Sequence, residues 1–449
     1  MDMKRVSFHT MGCKLNYTET VTLRQQFTDA GYDVVDFRDE SDVVLINTCS
    51  VTSKADAEAR KHVRQALRRS PHAYVVVVGC SAQLRAEELA SIEGVDLVLG
   101  TREKFRLMEY IDADLRKNGP HIHVGEVDDV EEFGPAAAAD PGDRTRSFLK
   151  VQDGCDYSCS FCTIPMARGG SRSESIERTL EHARGILAQG FREIVLSGVN
   201  VGDYGSGTDE SLYDLLIAMH ELDGDFRMRI SSIEPNLLTD DIIRLTAESD
   251  RMCNHFHIPL QSGSDGVLRV MRRRYNTRRF RERIDTLLDA VPDCGIGIDV
   301  IVGSPGETEE RFKEAYRFLV DIPFEYLHVF TYSERPGTDA LDLPEQVAPE
   351  DRTRRGRMLR TLSQKKRRAF YQSQLGRTLD VLLEKPDDDG MISGFTGNYV
   401  RVAVPYAPGL DNQLLPVQLD RIDRGVVRGT LVGEAAERAA YVALPVVGR

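Results

Sequence analysis

The sequence predicts an α/β protein in three parts: an N-terminal domain built on an open parallel α/β sheet, a central partial (β/α)6 barrel and a small C-terminal β-barrel. Three observations predict it. Short apolar runs alternate with helical patterns over roughly the first 125 residues. Six strand–helix units then repeat between about 147 and 345. From about 376 the helical periodicity stops, and short strands follow one another between turn residues.

In the first part, 1–125, residues 6–10, 43–48 and 74–79 read as strands, and 17–30 and 54–69 as helices. Strands separated by helical crossovers pair in parallel, because each crossover returns the chain to the same end of the sheet. Residues 126–146 are acidic and rich in Ala and Pro, with Gly134-Pro135-Ala136 and Asp140-Pro141-Gly142, and read as a linker. The second part, 147–375, has candidate strands at 148–152, 193–197, 227–231, 255–259, 297–302 and 326–331. Helical patterns at 176–189, 239–247, 278–290 and 307–320 separate them. Six units fit an incomplete barrel better than an eightfold one, and in such barrels the chemistry sits in the loops after the strands. The stretch 352–368 reads as a helix feeding the third part, 376–446, where 379–384, 391–395, 399–404 and 415–422 are short strand candidates of a small barrel.

The 449-residue chain carries a net charge of −13, which by itself argues against a nucleic-acid partner. Its distribution says otherwise. Residues 269–283 hold eight arginines against one acid, Glu282, and 352–368 hold nine Lys or Arg and no acid. Two readings stand: a basic face on an acidic protein, or two solvated helix faces. No apolar run approaches the roughly 20 residues that span a bilayer. The N-terminus runs straight into a strand-like segment without an apolar signal region. The expectation is a soluble, cytoplasmic protein without membrane contact.

There are eight cysteines. In a reducing compartment, clustered thiols point to metal or redox chemistry rather than to disulfides. Cys155-Asp-Tyr-Ser-Cys159-Ser-Phe-Cys162 follows the first barrel strand. Three thiolates in one loop can hold three irons of a [4Fe–4S] cubane, which ordinarily takes four ligands. The missing fourth ligand leaves one iron open to a chelating substrate. The competing reading is a zinc site or incidental buried cysteines, but zinc sites usually pair CxxC motifs and use four protein ligands. Gly154 before the loop suits a tight turn.

A second constellation is spread through the first part. Cys13, Cys49 and Cys80 each sit at or just past the C-terminal end of a predicted strand. In an open parallel sheet those ends gather along one edge, where ligands bind. They are therefore either three ligands of a second cluster or three buried structural cysteines. Cys253 and Cys294 fall in no such block and read as core residues.

The CxxxCxxC loop, with the aromatic Phe161 before its last cysteine, resembles the signature of the radical S-adenosylmethionine (SAM) superfamily. Gly12-Cys13-Lys14-Leu15-Asn16, Asn47-Thr48-Cys49-Ser50-Val51-Thr52 and Gly79-Cys80-Ser81-Ala82-Gln83 resemble the three cysteine blocks of the radical-SAM methylthiotransferases. The resemblance extends over essentially the whole chain. It implies an N-terminal methylthiotransferase domain, a radical-SAM core and a C-terminal TRAM domain, an RNA-binding β-barrel. It implies two [4Fe–4S] clusters: a SAM-binding one on Cys155, Cys159 and Cys162, and an auxiliary one on Cys13, Cys49 and Cys80 that carries the sulfur to be transferred. SAM would chelate the open iron through its amine and carboxylate, and its reductive cleavage would yield a deoxyadenosyl radical.

Further blocks fit the same family. Ser231-Ser232-Ile233-Glu234-Pro235, His257-Ile258-Pro259-Leu260-Gln261-Ser262-Gly263-Ser264 and Gly303-Ser304-Pro305-Gly306-Glu307-Thr308 follow the third, fourth and fifth barrel strands. The resemblance makes Glu234 and Gln261 candidates for the SAM ribose or methionyl group, and Ser197, Gly198 and Asn200 candidates for the methionyl amine. Turn formation explains the same glycines and prolines equally well. Arg168-Gly169-Gly170-Ser171-Arg172-Ser173 departs from the family's usual R-G-x-x-x-S-R spacing.

Within the family, Lys14 with Asn16 and Glu19 in the first block resembles the branch that acts on N6-threonylcarbamoyladenosine in tRNA. That branch adds a methylthio group to carbon 2 of the base beside the anticodon, using two SAM molecules. The alternatives are the same chemistry on isopentenyladenosine in tRNA or on a ribosomal-protein aspartate. An RNA-binding iron–sulfur protein without catalysis is a further alternative. The expected partners are the tRNA anticodon stem-loop, an electron donor such as flavodoxin or ferredoxin, and a sulfur donor that the sequence does not identify. The basic stretches would take phosphates and the small barrel would grip the stem-loop.

Overall fold

The computed structural model describes residues 3–50, 53–127, 133–134, 137–138, 145–434 and 436. Val51 and Thr52 of the second cysteine block, most of the expected linker and residues 437–446 of the third part lie outside them.

The N-terminal sheet has six parallel strands: β1 (Arg5–Thr10), β2 (Asp33–Val35), β3 (Val43–Thr48), β4 (Tyr74–Gly79), β5 (Leu97–Leu99) and β6 (His121–His123), in the order β2-β1-β3-β4-β5-β6. The apolar runs of β3 and β4 are continuous because helices cover both faces. Val44, Ile46, Val75 and Val77 pack into one core, and Val43, Leu45, Val76 and Val78 into another on the opposite face. Thr10 pairs with Asn47 and Thr48 with Gly79, so β1, β3 and β4 end level with one another. The Lys14–Asp29 and Ser53–Arg69 helices follow β1 and β3.

The central region begins with a two-residue strand, β7 (Ala137–Ala138), antiparallel to β8 (Ser147–Lys150). A small ribbon of β9 (Gln152–Asp153) and β10 (Arg172–Ser173) frames the CxxxCxxC loop. The remaining barrel strands are β11 (Glu193–Ser197), β12 (Arg227–Ile230), β13 (His255–His257), β14 (Gly295–Val302) and β15 (Tyr326–Thr331). They form two sheets, β12-β11-β8-β7 and β13-β14-β15. A bridge between Met228 and Met252 and the Cys253 N–H on the Met228 carbonyl, 2.8 Å, join them. This is the expected partial barrel of six parallel strands. Helix starts are fixed by side-chain caps: Ser175, Thr239, Asn276 and Thr308 each accept an N–H from the first turn they precede.

Strand alternation sorts the barrel's two faces. Leu149, Ile194, Leu196, Met228, Ile230, Phe256, Ile296, Ile298 and Val300 point out into the core shared with the helices. The alternate positions point inward, and there the barrel is polar and aromatic: Glu193, Arg227, Arg229, His255, His257, Asp299, Tyr326 and His328.

The third part is a closed five-stranded barrel of β16 (Thr378–Pro386), β17 (Met391–Thr396), β18 (Arg401–Pro405), β19 (Leu414–Asp423) and β20 (Val426–Leu431). Sequence reading missed β20, which closes the ring between β18 and β19. A 26-residue helix, Pro349–Gln374, leads into the barrel. The barrel caps the lower mouth of the central one. Glu193 holds Arg227 and Arg229 at 2.6 and 2.9 Å. Those guanidiniums donate to the Phe395 carbonyl at 2.8 Å and the Gly397 carbonyl at 2.9 Å. Tyr399 stacks on His255 with ring centroids 4.5 Å apart. No helix among the described residues is long and apolar enough to cross a membrane.

Candidate cluster sites and the chamber between them

Gly154 takes φ +70°, and a Cβ there would lie 1.8 Å from the Gly170 carbonyl oxygen, so only glycine admits this close approach. The turn sends Cys155, Cys159 and Cys162 around one point. Each sulfur is met by an N–H. Tyr157 N–H donates to Cys155 Sγ at 3.4 Å, Ile164 N–H to Cys162 Sγ at 3.5 Å, and Arg273 to Cys159 Sγ at 3.1 Å. Burial pushes the free Cys155 and Cys162 thiols up, to about 12 and about 11. A desolvated thiolate needs a cation or donors. This donor set, three sulfurs each with an N–H aimed at it, fits an iron–sulfur cluster.

Cys13, Cys49 and Cys80 gather at the level ends of β1, β3 and β4. Gly12 lies against Cys49: a Cβ at Gly12 would come within 2.6 Å of the Cys49 Sγ. Asn16 fixes the two loops by donating to the Met11 and Thr48 carbonyls, both at 2.9 Å, and Ser81 Oγ donates to the Cys49 carbonyl at 2.7 Å. Cys13 caps the Lys14–Asp29 helix, whose N-terminal dipole favours a thiolate. Burial raises the Cys13 thiol, while the nearby Arg168 pulls it down. The arrangement fits a second cluster with an open position.

Arg168 stands between the two sets. It ends the short Ile164–Arg168 helix that follows Cys162, and its charge reaches Cys13 and Cys80. It is fully buried, bonded to Glu19 at 2.8 Å, Asp153 at 3.0 Å and Asn16 at 2.9 Å. Lys104 adds a bond to Glu19 at 2.8 Å and Lys150 one to Asp153 at 2.9 Å. Burial alone would raise the Glu19 carboxyl, but Arg168 and Lys104 hold it down to about 2. Arg168 thus ties the two domains together.

Cys13 and Lys14 are reached by solvent, yet protein surrounds both. Burial lowers the Lys14 ammonium to about 8, and the cations Arg146 and Arg229 act in the same direction, opposed by Glu193 and Asp299. Lys14 therefore lies within electrostatic reach of the inner barrel wall.

The expected SAM contacts divide. Glu234 is buried and paired with Arg273, so it stands beside Cys159 through that arginine. Burial nevertheless pushes its carboxyl up. Asn200 takes its place through a backbone bond to Gln152 Oε1, 2.8 Å, and its own Oδ1 is buried without a partner. Gly198 packs on Gln152, where a Cβ would meet Oε1 at 2.8 Å. Gln261, at φ +65°, also buries an unpartnered Oε1. These orphaned acceptors suit a ligand with ammonium or hydroxyl donors. Ser197 Oγ is already spent on the Val195 carbonyl, 3.1 Å. Cys253 and Cys294 are buried away from both sets, as expected of core cysteines.

Neither basic run is a uniform phosphate face. Arg273 is at the cysteine loop, Arg272 pairs with Asp339, Arg274 lies over the Tyr157 ring, and Arg283 pairs with Asp240. In the long helix, Arg355 is buried against Glu307 at 2.7 Å, Arg352 pairs with Glu334 and Lys366 donates to the Val320 and Ile322 carbonyls. Arg357, Lys365 and Arg368 remain exposed. Sequence reading missed Arg273 beside the cysteine loop and did not single out Asp299 and His328, which lie together inside the barrel. Strict alternation on β14 and β15 was the signal that places the last two inside.

Residues 5–100 match the uncharacterized protein family UPF0004, and residues 149–319 match the radical SAM superfamily. The chain is 37% identical to the threonylcarbamoyladenosine tRNA methylthiotransferase MtaB of Bacillus subtilis, covering 93% of this chain and 94% of the relative. It is 38% identical to the protein of the same name from Aquifex aeolicus, over 84% and 92%. It is also 32% identical to the tRNA-2-methylthio-N(6)-dimethylallyladenosine synthase of Syntrophotalea carbinolica, over 93% and 97%. Among solved structures, the radical SAM methyltransferase TsrM of Kitasatospora setae shares the fold, with a TM-score of 0.55 at 14% identity over 76% of this chain and 77% of that one.

Proposed function

Because the chain belongs to the radical-SAM tRNA methylthiotransferases, enzymes that use SAM and a [4Fe–4S] cluster, we propose that it adds a methylthio group to carbon 2 of N6-threonylcarbamoyladenosine beside the tRNA anticodon. The observation that carries the chemistry is the pair of cysteine sets joined through Arg168, which bonds Glu19 and Asn16 beside one and Asp153 beside the other. The relatives named for threonylcarbamoyladenosine, and the resemblance of the Lys14 block to that branch, support the choice of base.

Cys155, Cys159 and Cys162 would hold the SAM-binding cluster, and Cys13, Cys49 and Cys80 the auxiliary one. When bound, these groups supply a deoxyadenosyl radical and a transferable sulfur. The chain's own residues do the rest. Tyr157, Ile164 and Arg273 donate to the sulfurs, and those donors would favour the thiolate form once the cluster is bound. Glu234, Asn200 and Gln261 offer acceptors to the polar groups of SAM. The Arg227–Glu193–Arg229 cluster and the C-terminal barrel cover the lower mouth. The units 1–125, 147–375 and 376–446 thus serve sulfur delivery, radical generation and RNA grip, with 126–146 as the linker.

Nucleoside mass spectrometry of tRNA from cells lacking the gene tests the reading. The expected result is loss of 2-methylthio-N6-threonylcarbamoyladenosine with its unmethylthiolated precursor retained. The similarity to a dimethylallyladenosine synthase favours a second reading, the isopentenylated base. Loss of that methylthio nucleoside instead would establish it.

A further inference from the structure

The inner wall of the barrel falls into layers. At the lowest layer Glu193, Arg229, His255 and Tyr326 are buried, and the C-terminal barrel seals them. One step up the strands, His257 on β13, Asp299 on β14 and His328 on β15 lie side by side, with Asp299 directly paired in register to His328. One step further, Ile301 is in register with Phe330. Above the buried Tyr326 the inner positions of β15 are accessible: the His328 side chain is 53% exposed and Phe330 39%. The inner face of β15 is thus accessible at His328 and Phe330, although Ser363 of the Pro349–Gln374 helix bonds the Leu327 backbone at its edge, while Lys150, Arg168 and the N-terminal domain fill the β8 side.

Asp299 fixes both imidazoles. His257 Nε2 lies 2.9 Å and His328 Nδ1 3.2 Å from the same Asp299 oxygen. Burial opposes ionisation of this carboxyl, but the two histidines hold it well below the usual carboxylate range. An ionised carboxylate only accepts, so both ring nitrogens facing it carry hydrogen. With its Nδ1 hydrogen turned to Asp299, a His328 ring that carries no second hydrogen presents Nε2 as an acceptor, on a side chain that is half exposed. Phe330, two residues on, presents a ring to the same side, with its centroid 6.5 Å from that of His328. An acceptor of fixed direction beside an exposed aromatic face is a seat for a planar heterocycle carrying an N–H. Adenine carries two such hydrogens on N6, and N6-substituted adenosine keeps one. Unstacked RNA bases are read in this way, by a ring beneath and a bond at the edge.

We propose that His328, oriented by Asp299 and His257, is a positioning residue that accepts a hydrogen bond from N6 of the target adenosine in the chamber between the two cysteine triads. The inference rests on the tRNA-adenosine reading above. Holding the base by one edge and one face leaves carbon 2 a single orientation.

The test compares reconstituted wild type with His328→Leu, His328→Gln and Asp299→Asn, using SAM, reductant and tRNA bearing the N6-modified base. Iron content verifies folding, and His328→Gln retains an acceptor. The expected result for His328→Leu is a roughly tenfold rise in the KM for tRNA, the worth of about one lost bond at a site of this kind. Deoxyadenosine released per methylthiolated base should also rise several-fold, because a misplaced base lets the radical be quenched. Asp299→Asn should act in the same direction, and His328→Gln should restore part of the coupling. SAM cleavage without tRNA should be unchanged. Wild-type coupling and KM in His328→Leu would overturn the inference. So would a raised KM for SAM without tRNA, which would assign the ring to the cofactor. So would a stoichiometric non-iron divalent metal lost with the histidine. A wild type inert on every such tRNA would remove the functional reading and this inference together.

Discussion

Arg273 joins the cysteine loop to the strand ends. Its guanidinium donates to Cys159 Sγ at 3.1 Å, to the Tyr275 hydroxyl at 3.1 Å and to the Glu234 carboxylate. Removing one partner of a buried pair strands the other at a cost of about 3–5 kcal/mol. Arg273→Leu should therefore lose the SAM-site iron selectively, from about eight irons to about four by cubane arithmetic. SAM cleavage should fall by at least about tenfold, while Arg273→Lys, with charge but no fork, should fall between. Iron analysis and deoxyadenosine release measure both; full iron in Arg273→Leu would show that the loop holds its cluster without help. The cysteines were legible in the sequence because their spacing is local. Arg273 was not, because Arg272 turns through φ +59° and sends three consecutive arginines to three destinations: Asp339, Glu234 and Tyr157. A charge run read as one face is there three separate contacts.

At the scale of the element, the Pro349–Gln374 helix separates two kinds of basic residue. Arg357, Lys365 and Arg368 are exposed, whereas Arg355 is buried on Glu307. Neutralising the three exposed residues should lower the salt dependence of tRNA binding by about two in the log–log slope, at roughly 0.7 per single-strand phosphate contact. Stability should stay within about 0.5 kcal/mol of wild type. Arg355→Ala should do the opposite, costing about 3 kcal/mol of stability with little change in slope. Salt titrations of tRNA affinity, with urea unfolding alongside, decide it. An unchanged slope in the triple variant would make the helix a solvated face and leave RNA recognition elsewhere. The helix itself was legible from composition, and the barrel strands from their alternation. β20 was not: its Val426-Val427-Arg428-Gly429 carries little pattern, and only closure against β18 and β19 gives it a place.

For the whole molecule, the buried charges around Arg168 make the N-terminal domain and the barrel one body. Glu19 is held at about 2, against about 4.3 for an unperturbed glutamate. Its contribution is therefore complete above about pH 4.3 and is lost as pH falls towards 2. Glu19→Gln should cost about 3 kcal/mol at pH 7. The gap to wild type should close between about pH 4.3 and 2, measured by urea unfolding of cluster-free protein, since acid also releases metal from thiolates. A gap that persists at pH 2 would mean that the carboxylate charge is not what binds the domains. None of this was legible in the sequence, where Glu19 and Arg168 stand 149 positions apart. Their meeting depends on docking two separately readable sheets.

Such a tie also determines what sets the tempo of turnover. Arg168 is bonded at once to Asn16 and Glu19 beside one cysteine triad and to Asp153 beside the other. Among the described residues the two sets of cysteines are thereby fixed to one body, and the distance between them is set by the architecture. On the proposed function, successive steps would then be ordered by traffic, by which small molecule has left and which nucleoside has come in.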